Sequence, residues 1–174
     1  HWTWPGREGE VTPVFVYTNY PTAELFINGK SYGKQSKNNS SLKSRYRLMW
    51  MDAVYEPGEV KVVAYNKDGK AVAEKTVRTA GKPHHIELVS NRNELTADGK
   101  DLAYVTVKVV DKDGNLCPTD SRLIHFSVKG AGKFRAVANG DPTNLEQFHL
   151  PKMHAFHGML TAIVQAGEIA GDLV

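Results

Sequence analysis

From Glu59 to Tyr65 the chain sets Val60, Val62 and Ala64 against Lys61, Val63 and Tyr65. A side-chain repeat of two residues belongs to an extended strand with two unlike faces. The same repeat returns at Leu102 to Val110, where Val105, Val107 and Val109 alternate with Tyr104, Thr106 and Lys108, and at Ile124, Phe126 and Val128 against His125, Ser127 and Lys129. Phe134 to Ala138 and Met159 to Gln165 read as further strands, and no segment sustains a long helical repeat. Turn chemistry punctuates the pattern. Asn28-Gly29 lies between Glu24-Leu25-Phe26-Ile27 and Lys30-Ser31-Tyr32, and these two residues tolerate the paired positive φ angles of a type I′ hairpin. Lys67-Asp68-Gly69-Lys70 and Asp111-Lys112-Asp113-Gly114-Asn115 supply Asp-Gly turns of similar chemistry. Pro13 to Thr18 is apolar on both faces, which predicts a central strand. The stretch Asn139 to His157 reads as irregular, and the last strand, near Val174, as shortened.

Short strands with turns every 8 to 12 residues predict an all-β chain of two tandem immunoglobulin-like β-sandwich domains. The first spans 1-80 and the second 81-174, with Gly81-Lys82-Pro83 as the linker. A length of 174 residues accommodates two such cores. Apolar residues at 41% and charged residues at 24% exclude a disordered chain, and no apolar run approaches the roughly 20 residues of a spanning helix, so no membrane insertion is expected.

The net charge is +3, yet six basic residues (Lys30, Lys34, Lys37, Lys43, Arg45, Arg47) and no acidic one lie between Leu25 and Met51. No aromatic-and-glycine motif accompanies them, so the expectation is a solvated loop that protects strand edges and no nucleic-acid partner. Cys117 stands alone, which rules out an intrachain disulfide. Asp111-x-Asp113-x-Asn115 starts like a calcium loop, but Leu116 and Arg122 occupy the positions that require glycine and glutamate. His149, His154 and His157 cluster without ligand spacing, and His84-His85 stand at the linker. No Gly-x-Ser-x-Gly turn or dinucleotide fingerprint occurs. The expectation is no catalytic residue, no metal and no cofactor. Trp2, Trp4, Tyr17, Tyr20, Tyr32 and Trp50 offer flat faces for sugar rings or large apolar bodies for a core.

His1-Trp2-Thr3-Trp4-Pro5-Gly6-Arg7-Glu8-Gly9, with the strand Pro13 to Asn19 and the hairpin Ala23 to Gly33, resembles the β-sandwich that follows the catalytic barrel in bacterial β-galactosidases of glycoside hydrolase family 2. Leu95-Thr96-Ala97-Asp98-Gly99-Lys100-Asp101 and Asn139-Gly140-Asp141-Pro142-Thr143-Asn144-Leu145-Glu146 are similar to the immunoglobulin-like C-terminal domain of the same Bacteroidota enzymes. The resemblance implies a fragment of a longer, periplasmic or secreted enzyme that cleaves terminal β-linked sugars with two glutamates on a (β/α)₈ barrel. It implies that this piece is non-catalytic and has the barrel of the same polypeptide as partner. Trp2 and Trp4, at the join, become the expected sugar or barrel contacts. An independent carbohydrate-binding module and an adhesin stalk remain as alternatives, and homo-oligomerisation stays open.

Overall fold

The computed structural model describes all residues from His1 to Val174. It forms two compact units, His1–Thr79 and Ala80–Val174. Each unit packs a four-stranded antiparallel sheet with a two-stranded one, as expected of all-β sandwich domains.

In the first unit the strands are β1 (Val14–Val16), β2 (Thr22–Ile27), β3 (Lys30–Ser36), β4 (Leu48–Trp50), β5 (Glu59–Tyr65) and β6 (Ala71–Arg78). They pair in the order β3-β2-β5-β6 and, separately, β1-β4. Alternation decides what each strand buries. On β2, Ala23, Leu25 and Ile27 enter the core while Glu24 and Phe26 take the other face. Leu48, Trp50 and Tyr55 complete that core, and the Trp50 indole N–H donates to the Gly33 carbonyl at 3.0 Å, so its one polar atom is satisfied in the interior.

Asn28 and Gly29 have φ of 49° and 79°, the two left-handed residues that a type I′ turn demands. The Asn28 side chain also accepts from the Glu59 N–H at 2.7 Å and donates to the Pro57 carbonyl at 3.1 Å. That carboxamide fills the space beside Gly58, where a Cβ would lie 2.1 Å from Asn28 Oδ1.

The second unit holds β7 (His85–Ser90), β8 (Leu102–Val110), β9 (Leu123–His125), β10 (Gly132–Ala138), β11 (Lys152–His154) and β12 (Met159–Ala166), in the orders β10-β12-β8-β7 and β11-β9. Val107, Val109, Val137, Met153 and Leu160 fill its core. The two Asp-Gly turns share one hydrogen-bond pattern. Asn66 and Asp111 each use a side-chain oxygen to accept the backbone N–H groups two and four residues on, with Gly69 and Gly114 at φ of 76° and 81°.

Four sequence expectations are corrected. Pro13 to Thr18 is not a central strand: only Val14–Val16 is extended, its sheet has two strands, and Phe15 and Tyr17 on its outer face are exposed. A one-turn helix, α1 (Leu42–Tyr46), interrupts the chain before β4; Ser41 caps it by accepting from the Ser44 N–H, and it buries nothing, so no apolar periodicity announces it. The strand through Ile124 ends at His125. The stretch read as irregular contains β11, which pairs with β9 through Met153 and Ile124.

Candidate functional site

The two tryptophans expected at a contact surface have different fates. Trp2 lies in the core at 4% exposure. Its indole N–H donates to the Glu56 carbonyl at 3.0 Å, its ring meets Tyr55 edge-on at 5.1 Å, and its own carbonyl accepts from the Thr79 hydroxyl. Those bonds fix the irregular opening segment to the sandwich, and the little of Trp2 that stays exposed lines a cleft beside it. Trp4 is 38% exposed, with the His1 ring 4.3 Å from its own. Its backbone N–H donates to the Tyr55 hydroxyl.

Trp4 lines, together with His1 and Trp2, a cleft of about 540 Å³ within the first unit. Seven consecutive residues, Thr12 to Thr18, form one wall. The floor is the inward face of β5 and β6, where the register pairs Ala64 with Ala73, Val62 with Lys75 and Val60 with Val77. The sandwich leaves this flank uncovered because a two-stranded sheet faces a four-stranded one. On the outer rim the Arg47 guanidinium sits 5.0 Å over the Phe15 ring and 3.5 Å from the Tyr17 hydroxyl. Glu74 turns away to an ion pair with Lys61 at 2.8 Å, whereas Lys75 has no carboxylate at ion-pair distance. Lys75 and the valine floor escaped the sequence reading. Their signal was present in the alternation of β6, where Lys75 falls in phase with Ala73 and Val77.

The remaining chemistry-bearing residues serve structure. Burial pushes the Asp111 carboxyl up, but hydrogen bonds from the Gly81 N–H, the Asn115 side chain and the N–H groups of Asn115 and Asp113 outweigh it and hold the pKa lowered to about 2. Donors thus occupy the oxygens that a calcium loop would turn toward an ion. His154 Nδ1 lies 3.1 Å from Glu146 Oε1, and His157 Nδ1 lies 3.1 Å from the Pro118 carbonyl. The Asn139–Glu146 segment is a run of Asx turns whose ends hold β11: Asn139 donates to the His154 carbonyl, and Glu146 accepts the His154 N–H. No group of three or more His, Cys, Asp and Glu side chains gathers in a way that could hold a metal ion.

Residues 86–174 match glycoside hydrolase family 2 C-terminal domain 5. The chain belongs to glycoside hydrolase family 2. Residues 9–73 of this family-2 chain match a domain of unknown function, DUF4982. The chain is 44% identical to the β-galactosidase BoGH2A of Bacteroides ovatus over 166 residues, which is 95% of the chain and 19% of that protein. It is 32% identical to a putative β-glucuronidase of Formosa agariphila over 82% of the chain and 13% of the relative. A crystal structure of a family-2 member from Bacteroides cellulosilyticus aligns with a TM-score of 0.90 at 35% identity, covering 99% of this chain and 23% of that one. The family-2 chain therefore spans between 13% and 23% of the length of these relatives.

Proposed function

We propose that the chain is the non-catalytic β-sandwich region of a β-galactosidase-like enzyme that hydrolyses terminal β-linked sugars. Its task is to pack against the catalytic barrel of the same polypeptide, with the exposed half of Trp4 among the contacts. One observation carries the reading: the identity to a β-galactosidase runs through 95% of the chain, across both sandwiches, while occupying only 19% of that enzyme. The side chains agree with a supporting role. Asp111, Glu146 and His154, the residues best suited to chemistry by type, are engaged with backbone and neighbouring side chains that hold turns and strands. From the same resemblance, the full polypeptide is exported to the periplasm or beyond.

The test is an assay with chromogenic β-galactosides on the 174-residue chain and on the long polypeptide that contains it. Turnover by the long polypeptide alone is expected. Turnover by the 174-residue chain would sink the reading, as would a long polypeptide inert on every β-glycoside offered.

A further inference from the structure

We infer that the cleft beside β1 is the vacant place of an immunoglobulin strand, and that an extended segment from elsewhere in the long family-2 polypeptide fills it by strand addition. The inference rests on the proposed function, which supplies that polypeptide.

The strand orders carry the argument. The sheet β3-β2-β5-β6 reproduces the order C′-C-F-G of an immunoglobulin sandwich, and β1-β4 reproduces the pair B-E. In that fold strand A lies beside B and closes the sheet. Here β1 has β4 as its neighbour on one side and no strand on the other. Residues 1–10 do not fill that place: they form no strand, turn at Pro5-Gly6 and Glu8-Gly9, and are held by Trp2 and by the Gly9 and Glu10 backbone bonds to Tyr55.

The shape of the cleft fits a strand better than a compact ligand. Its wall is β1 (Val14–Val16) with the residues that flank it, Thr12 to Thr18, and β1 has no strand on one side, so an occupant there meets backbone groups at strand spacing, which a second backbone matches in register. Its floor is laid out at strand spacing, with Val60, Val62 and Ala64 on β5 and Ala73, Lys75 and Val77 on β6. Lys75 is the cation of this apolar floor and has no carboxylate partner in the unit. The occupant is accordingly an extended segment whose inward side chains are apolar, with one Asp or Glu placed opposite Lys75. The length beyond this chain is ample, since the chain makes up 13% to 23% of the relatives named above.

Two measurements on the long polypeptide test this. A zero-length carbodiimide cross-link, mapped by mass spectrometry, should join Lys75 to a carboxylate outside these 174 residues. Amide exchange read residue by residue should show consecutive slow amides from Val14 to Thr18, at least about 100-fold protected, because a strand paired on both sides leaves none free. Lys75→Glu should speed that exchange about tenfold or more. The inference is overturned by alternation of fast and slow amides along β1, by the absence of a Lys75 cross-link, or by a cross-link only to residues of a second copy of this chain. Galactoside turnover is measured on the same samples. Full turnover with alternating exchange would reject the strand addition and leave the proposed function standing, whereas loss of turnover on all glycosides would reject the latter.

Discussion

The two units solve the same problem with different materials. The first concentrates its core in large aromatic groups, Trp2, Trp50 and Tyr55, whose polar atoms reach backbone partners, and leaves one flank open. The second spreads its core over Val107, Val109, Val137, Met153 and Leu160 and closes an edge with its final residues. Leu173 bridges Gly130, and the N–H groups of Val174 and Ala131 donate to the carbonyls of Lys129 and Asp172. Gly132 has no Cβ to spare there, since one would meet Leu173 at 2.1 Å. Their electrostatics differ as well. Asp98, Asp101, Asp111, Asp120 and Asp141, all with lowered pKa values, lie in the second unit, whereas the first has Glu24 alone among its carboxylates. An aromatic core ties stability to a few side chains, and a set of hydrogen-bonded carboxylates ties it to pH.

The molecule supplies a separate reporter for each half. All three tryptophans lie in the first unit, and the single cysteine, Cys117, is buried in the second. The largest expected effect is Trp50→Ala, which should cost about 3–5 kcal/mol. It should advance the urea transition seen in the fluorescence of Trp2 and Trp4 and leave the rate of Cys117 labelling in place. Equal advance of both signals would abolish the contrast between the halves. Asp111→Ala should cost about 1–3 kcal/mol, because three backbone N–H groups lose their acceptor in a buried site. Here Cys117 labelling should accelerate while the fluorescence transition holds.

The pH dependence follows from the same carboxylate. A folded pKa of about 2 against an ordinary 3.8 means that the contribution of Asp111 is complete above about pH 4 and fades as pH falls toward 2. Asp101 and Asp120 contribute in the same direction: N–H donation from Thr96 and the Arg122 hydrogen bond, respectively, lead in lowering them. Acid should therefore weaken the second unit before the first. Circular-dichroism urea midpoints should fall less between pH 5 and pH 2 for Asp111→Asn than for the parent chain. The smallest effect expected is Leu88→Ala, within about 0.5 kcal/mol. Leu88 pairs with Val107 but is 65% exposed, as β7 is exposed along its whole length. A loss several times larger, read by Cys117 labelling, would show that this edge strand is covered in solution.

Much of this architecture was legible in the residues. The alternation at Glu59 to Tyr65 and Leu102 to Val110 fixed two central strands, and Asn28-Gly29 fixed a turn, because in each case the deciding physics is local. The misreadings share a cause. Val14 to Tyr17 is apolar on both faces, but whether a second face is covered depends on how many strands the opposing sheet contains, and no local pattern encodes that number. Helix α1 is made by a serine cap and no core contact, so it carries no stripe to recognise. At the candidate site, Trp2 and Trp4 look alike in sequence. Only the folded chain separates them, because the Glu56 carbonyl and Tyr55 ring that enclose Trp2 come from more than fifty residues away.

The carboxamide of Asn28 and the bare Cα of Gly58 occupy one another's space. A side chain at position 58 requires Asn28 to leave, and the loss of Asn28 strands the Glu59 N–H unless the 58 region rearranges with it. The two positions, thirty residues apart, are therefore expected to be inherited as one: among related chains, those that keep the asparagine should keep the glycine, and those that lose one should have replaced both.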